Sequence, residues 1–215
     1  DSEGVINLGT AYPSPQYLPV QQLQRLMMQV IKSNMAQVVE AHFSSGIDQL
    51  RHTLSQRLAE SGCLLSANDL VITNGCQEAL SICLRAVAEP GDIIAIESPG
   101  FVGLLQLIES MGFKAMEIPC HPQDGISLEA LELALDQWPI KAVAVVSSYS
   151  NPLGCTMPEA NRQRLVEMLA ERRLPLIEDD LFGDLAFDGR RPKPCKAWDT
   201  EGLVLYCSSA SKSIA

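Results

Sequence analysis

The chain has 215 residues, 47% apolar and 20% charged, with 14 Gly and 13 Pro; this suits one large ordered domain and excludes a disordered tail, a collagen or a mini-protein. Sixteen Lys and Arg against 26 Asp and Glu leave a net charge of -10, which repels phosphate backbones and anionic lipid and argues against direct nucleic-acid binding by this surface. No apolar run reaches the roughly 18 residues needed to span a bilayer and no basic-then-apolar leader opens the chain, so a soluble, cytoplasmic protein without membrane contact is expected.

In chain order, residues 9–19 carry Pro13, Pro15 and Pro19 and read as an extended arm; Leu23, Leu26, Met27, Val30 and Ile31 then mark one face of a helix. A second helix follows Gly46, with Ile47, Leu50, Leu54 and Leu58 as a core-facing stripe. Residues 70–73 read as a strand, Gly75 as a turn, and Leu80, Cys83, Leu84 and Val87 as the inner face of a helix that ends at Glu89-Pro90-Gly91-Asp92. Strand 93–97 leads through Ser98-Pro99-Gly100 to a helix near 104–110, and strand 113–118 follows. Ser127 caps a helix through Asp136. Residues 141–147 form an apolar strand, Pro158 opens a helix, and 175–178 and 203–207 supply two further strands. Apolar strands alternating with helices define an α/β class, a three-layer α/β/α domain with a mainly parallel sheet buried on both faces. In such sheets the ligand crevice lies at the carboxyl ends of the strands.

Five strand ends carry polar or aromatic residues: Asn74-Gly75-Cys76-Gln77, Ser98-Pro99-Gly100-Phe101, 147–151, Asp179-Asp180 and 208–212. The first joins a strand to a helix start, where free backbone N–H groups suit a phosphate, although a glycine there also serves as a plain tight turn and neither GxGxxG nor a Walker loop is present. Glu178, Asp179 and Asp180 repel one another unless a cation or proton is shared; a solvated or metal-binding loop is the alternative reading. Lys212, after another strand, is a nucleophile if partly desolvated and otherwise a surface charge. The seven cysteines (Cys63, Cys76, Cys83, Cys120, Cys155, Cys195, Cys207) form no CxxC pair and read as reduced, mostly buried thiols. His42, His52 and His121 show neither triad order nor HExxH spacing, and no metal is expected.

The order of these motifs, TNGCQEAL, ESPGF, SSYSNPLG, LIEDDLFGDL and CSSASKS, resembles the large domain of fold-type-I pyridoxal-phosphate enzymes, the aspartate aminotransferase superfamily, over nearly the whole chain. The resemblance implies pyridoxal 5'-phosphate as cofactor. It makes Lys212 the lysine that forms the Schiff base with the cofactor aldehyde and then shuttles a proton. It makes Asp179 the carboxylate paired with the pyridine nitrogen, with Asp180 only its neighbour. Asn151 is similar to the side chain that hydrogen-bonds the ring phenolate oxygen, and Phe101 to the aromatic that stacks on the ring. Gly75, Cys76 and Gln77 would cradle the phosphate through backbone N–H groups, with hydroxyls from Ser209 and Ser211. Two positions depart from the pattern. Leu181 and Phe182 stand where the superfamily usually has a tyrosine that reaches the phenolate oxygen, and Ala41, His42 and Phe43 replace a tyrosine that reaches a partner subunit's phosphate, with His42 as a substitute.

The wording of AVAEPGDIIAIESPGF, NPLGCTMP, PLIEDDLFGDLAF and WDTEGLVLYCSSASKS narrows the resemblance to the MocR branch of GntR-type transcription regulators. This implies an effector-sensing domain that takes a small amine or amino acid, works as a homodimer and reaches DNA only through a domain absent from this chain. The expected organisation is an arm and first helix over 1–45 and a cofactor-binding large domain over 46–215 that stops just past Lys212, lacking the winged helix before it and the small domain after it. The alternative is a free-standing class I/II aminotransferase moving an amino group between an amino acid and a 2-oxo acid; a third reading is an α/β domain with no cofactor.

Overall fold

The computed structural model describes residues 11–40 and 45–214. They form two compact units, one of 11–40 with 210–214 and the other of 45–209. In the smaller unit a turn at Pro15–Tyr17 precedes helices α1 (Val20–Ser33) and α2 (Met35–Val39). The expected apolar face of α1 forms, but none of its residues is buried. The beginning of the expected arm and His42 lie outside the described residues.

The larger unit opens with α3 (Asp48–Glu60) and continues through α4 (Cys76–Val87), β1 (Ile93–Ser98), α5 (Val102–Ser110), β2 (Lys114–His121), β3 (Gly125–Ile126), α6 (Leu128–Gln137), β4 (Ile140–Val145), α7 (Glu159–Glu171), β5 (Leu176–Asp179) and β6 (Val204–Cys207). The sheet order is β3-β2-β1-β4-β5-β6. Every pairing is parallel except the short β2–β3 return. Side chains alternate across a strand, and the alternation divides the core in two. Ala95, Val143, Val145, Leu176 and Val204 pack with Leu131 of α6 and with Leu165, Met168 and Leu169 of α7. Ile94, Ile96, Ala142, Ala144, Ile177 and Cys207 pack with Leu80 and Leu84 of α4 and with Leu104 and Ile108 of α5. The result is the expected three-layer α/β/α domain.

Two expectations are corrected. Residues 70–73 are not a strand; their ladder-type bond is Ile72 N–H to the Ser45 carbonyl at 2.8 Å, and Val71 is exposed. A β-branched run becomes a strand only where a neighbour offers a row of partners, and no described strand lies beside this one. The stripe on α3 is not core either: Ile47 and Leu50 are exposed and Leu54 and Leu58 only half-buried. The buried side chain of α3 is Arg51, which donates to the Ala67 carbonyl at 2.8 Å. The helix packs by one edge on the turn Ala67–Asp69, so its heptad-like spacing meets no sheet.

Arg162 of α7 is fully buried and ties together three segments between elements. Its Nε donates to the Met157 carbonyl, Nη1 to that of Lys193 and Nη2 to that of Ser147, at 2.8, 2.8 and 2.7 Å. Arg162→Ala removes all three bonds, leaves the Met157 and Lys193 carbonyls unpaired and the Ser147 carbonyl with only the Met157 N–H, and opens a cavity; a stability loss of roughly 3 kcal/mol or more is expected. The urea unfolding midpoint checks this, and an unchanged midpoint would show that the three bonds stabilise nothing.

Candidate functional site at the carboxyl edge of the sheet

Because β1, β4, β5 and β6 run parallel, their carboxyl ends lie on one edge, and the direction in which successive strands are added to the sheet reverses between β1 and β4. Such a switch point leaves a crevice, since the connections leave it in opposite directions. There Glu97 crosses from β1, its Oε2 accepting the Val146 N–H at 2.8 Å while its Oε1 is buried without a partner. Burial pushes the Glu97 carboxyl up to about 7. After β1, Phe101 caps α5. A Cβ on Gly103 would lie 2.4 Å from Cζ of Phe101 and 3.1 Å from Nε2 of Gln77. Glycine at 103 thus lets the Phe101 ring and the first turn of α4 approach each other.

After β4 the segment 147–157 closes on itself. Met157 N–H bonds the Ser147 carbonyl at 3.0 Å and Ser150 N–H bonds the Cys155 carbonyl at 2.9 Å, which leaves half-buried Asn151 at the tip. At the start of α4, Gly75 has φ +95, a conformation that disfavours any side chain, with open space where a Cβ would stand. It caps the helix without a side-chain bond. The first-turn N–H groups that follow belong to Cys76, Gln77 and Glu78 and have no intrahelical acceptor.

The acidic run is buried throughout, which overturns the reading of it as a solvated loop. Glu178 accepts from Ser147 Oγ at 2.5 Å and from the N–H groups of Cys195 and Lys196 at 2.7 and 2.9 Å. Asp180 accepts from Arg191 Nη2 at 2.5 Å and Tyr206 Oη at 2.8 Å. Arg191 also pairs with Asp184. Asp179, between them, meets the Cys76 thiol at 3.4 Å and a backbone N–H from Leu181. No basic side chain pairs with it among the described residues of its unit. Burial pushes its carboxyl up to about 6, with Asp180 and Glu178 adding repulsion.

The structure therefore brings Gly75, Cys76, Gln77, Phe101 and Asp179 together, and sets Asn151 and Ser209 on the same edge. Ser211 and Lys212 belong to the smaller unit; there Lys212 Nζ lies 4.6 Å from the centre of the Tyr12 ring. Sequence reasoning missed Glu97, Gly103, Arg191 and Tyr206. A glycine in the first turn of a helix was a usable signal of close approach; nothing local marks the other three.

The family model for aminotransferase class I and II matches residues 4–215. The chain is 39% identical over 211 residues to the uncharacterized HTH-type transcriptional regulator YjiR of Escherichia coli K12, covering 98% of this chain and 45% of that protein. It is 31% identical to the aromatic-amino-acid aminotransferase 1 of Thermococcus litoralis over 100% of this chain and 53% of the relative. Among solved structures, the kynurenine aminotransferase of Pyrococcus horikoshii, crystallised with PMP, superposes with a TM-score of 0.88 at 30% identity over 96% of this chain and 52% of its own. The chain spans about half the length of these relatives.

In the cofactor-free protein, Glu97 and Asp179 bind protons more tightly in the folded than in the unfolded state. The stability they favour is present below the ordinary carboxylate range and is lost as pH rises through about 6 and about 7. The urea midpoint of the cofactor-free protein is expected to fall between pH 5 and pH 8, with a shallower fall in Glu97→Gln and in Asp179→Asn. An identical pH dependence in both variants and wild type would refute the assignment.

Proposed function

The chain belongs to the class I and II aminotransferase family, whose cofactor is pyridoxal 5'-phosphate, and on that premise we propose that the carboxyl edge of its sheet holds the cofactor within a longer effector-sensing regulator. The observation that carries the reading is Asp179: a buried carboxylate with no cation in its own unit, beside a helix start with free N–H groups. A protonated ring nitrogen at one end of a ligand and a phosphate at the other would satisfy both features.

In this reading the N–H groups of the Gly75-Cys76-Gln77 turn hold the phosphate, assisted by the hydroxyls of Ser209 and Ser211. Asp179 accepts the pyridine N–H and keeps that nitrogen protonated. Phe101 covers one ring face, and Asn151 donates to the ring oxygen. Leu181 and Phe182 offer no hydroxyl there, so Asn151 carries that contact without help from this segment. Lys212 would be the residue that holds the cofactor through its aldehyde, and once displaced by a substrate amine its free Nζ would hold and move the proton at the substrate Cα. When bound, the cofactor supplies an electron sink for the pair released at that carbon.

Similarity to YjiR, named as an HTH-type transcriptional regulator, favours a regulator; in our reading this domain is its sensor for a small amine or amino acid, works as a homodimer and reaches DNA through another domain. Similarity to the Thermococcus enzyme and the Pyrococcus structure favours the second reading, a transaminase acting on an amino acid and a 2-oxo acid. Promoter binding by the full gene product that changes with an added amine selects the first; turnover of an amino acid with a 2-oxo acid selects the second.

Incubation with pyridoxal 5'-phosphate is expected to give a visible absorbance band that borohydride fixes onto the peptide containing Lys212. Lys212→Ala loses the fixed label. Asp179→Asn weakens cofactor uptake by roughly tenfold or more, as removal of one partner of a buried charge pair does. Labelling of another lysine, with Lys212→Ala unaffected, would sink the assignment.

A further inference from the structure

Three consecutive acids end β5, and strand alternation sends Glu178 and Asp180 to one face and Asp179 to the other, the face of Ile177 and α4. On that face α4 presents Cys76, Leu80, Cys83, Leu84 and Val87, the i, i+4, i+7, i+8 and i+11 positions of one stripe. Leu80 and Leu84 are buried against Ile177 and Cys207, and Cys83 Sγ lies 3.6 Å from Cys207 Sγ. The helix is therefore seated on β5 and β6, and its first side chain, Cys76, is carried over the end of β5.

We propose that Cys76 is a positioning residue for Asp179: its thiol donates a hydrogen bond to Oδ1 of the carboxylate, while its own backbone N–H belongs to the anion-facing turn of α4. One residue then joins the two ends of the site, the turn and the acid, across 103 positions of sequence. The role of Asp179 as cofactor partner rests on the preceding reading; the thiol contact itself does not.

The chemistry suits a thiol better than the alternatives. A lysine or histidine at 76 would neutralise Asp179 and occupy the place of an incoming cation. An alanine would leave Oδ1 facing apolar neighbours. A neutral S–H satisfies one lone pair and leaves the charge in place. Burial pushes the Cys76 thiol up, with Asp179 adding repulsion, so the group stays protonated and donates. Among the described residues of its unit, the ionisable groups around Asp179 include Cys76 from α4, Glu97 from β1, Cys207 from β6, and Glu178 and Asp180 at the end of β5. Three of these five are carboxylic acids and two are thiols, and none is basic. With the Leu181 N–H, the Cys76 thiol is what favours the ionised form of Asp179 against burial and repulsion.

The experiment follows the carboxyl carbon of Asp179 by NMR in the intact, cofactor-free protein, with the signal identified by its loss in Asp179→Asn. In Cys76→Ala the titration midpoint is expected to move up by about half a pH unit or more, and Cys76→Ser, which keeps a donor of similar size, to bring it back toward wild type. Affinity for pyridoxal 5'-phosphate is expected to drop roughly fivefold in Cys76→Ala and to recover in Cys76→Ser. Coincident titration of Asp179 in wild type, Cys76→Ala and Cys76→Ser overturns the proposal whether or not cofactor binds. A shifted midpoint in Cys76→Ala, with wild type taking up no cofactor, upholds the thiol contact and overturns the cofactor reading instead.

Discussion

Three carboxylates in succession at the end of a buried strand constitute a large electrostatic cost, and the surrounding structure is arranged around the three ways it is offset. Glu178 draws the N–H groups of Cys195 and Lys196 and the Ser147 hydroxyl onto itself, which pins the turn Cys195–Trp198 and the end of β4 to β5. Asp180 takes Arg191 and Tyr206, and Arg191 in turn holds Asp184. Both acids use the face that the intervening segment 181–203 covers. Asp179 points the other way, toward α4, and receives no basic side chain from its own unit.

That asymmetry links fold to function. The pleat of one strand separates Glu178 and Asp180, whose partners come from the segment 181–203, β6 and the end of β4, from Asp179, which faces α4, and the separation needs no loop rearrangement because successive side chains must point to opposite faces. The helix facing Asp179 begins with a glycine in a left-handed conformation and a turn of unpaired N–H groups. A negative group at the strand end and a positive helix end, fixed by the same packed interface, suit a ligand that is cationic at one point and anionic at another, which is the basis of the proposed reading. The family's cofactor has this charge pattern, and the relatives divide between regulators and transaminases that share the fold.

Much of this was legible in the residues. The alternation of apolar strands and amphipathic helices yields the three-layer sheet because each pattern has a period that only one element can bury. The polar punctuation after four of the strands pointed to the carboxyl edge because parallel strands put their ends together. Residues 70–73 and the α3 stripe misled for the same reason: a period states which face seeks burial, and only a neighbouring element decides whether burial is supplied. The fate of each acid in Glu178-Asp179-Asp180 was hidden as well, since Arg191, Tyr206 and Cys76 are 11, 26 and 103 positions from the carboxylates they meet.

The sequence by itself determined the family, the layer architecture and the order along the chain of the candidate residues at the strand ends, because periodicity and motif are local properties that survive without contacts. Only the tertiary structure decided that Asp180 takes Arg191 while Asp179 faces α4 without a basic partner from its own unit, that Glu97 bridges β1 to the end of β4, and that a cysteine thiol stands over Asp179. Burial and pairing are properties of neighbours in space, and neighbours in space are set by the sheet register and by the seat of α4 on β5 and β6.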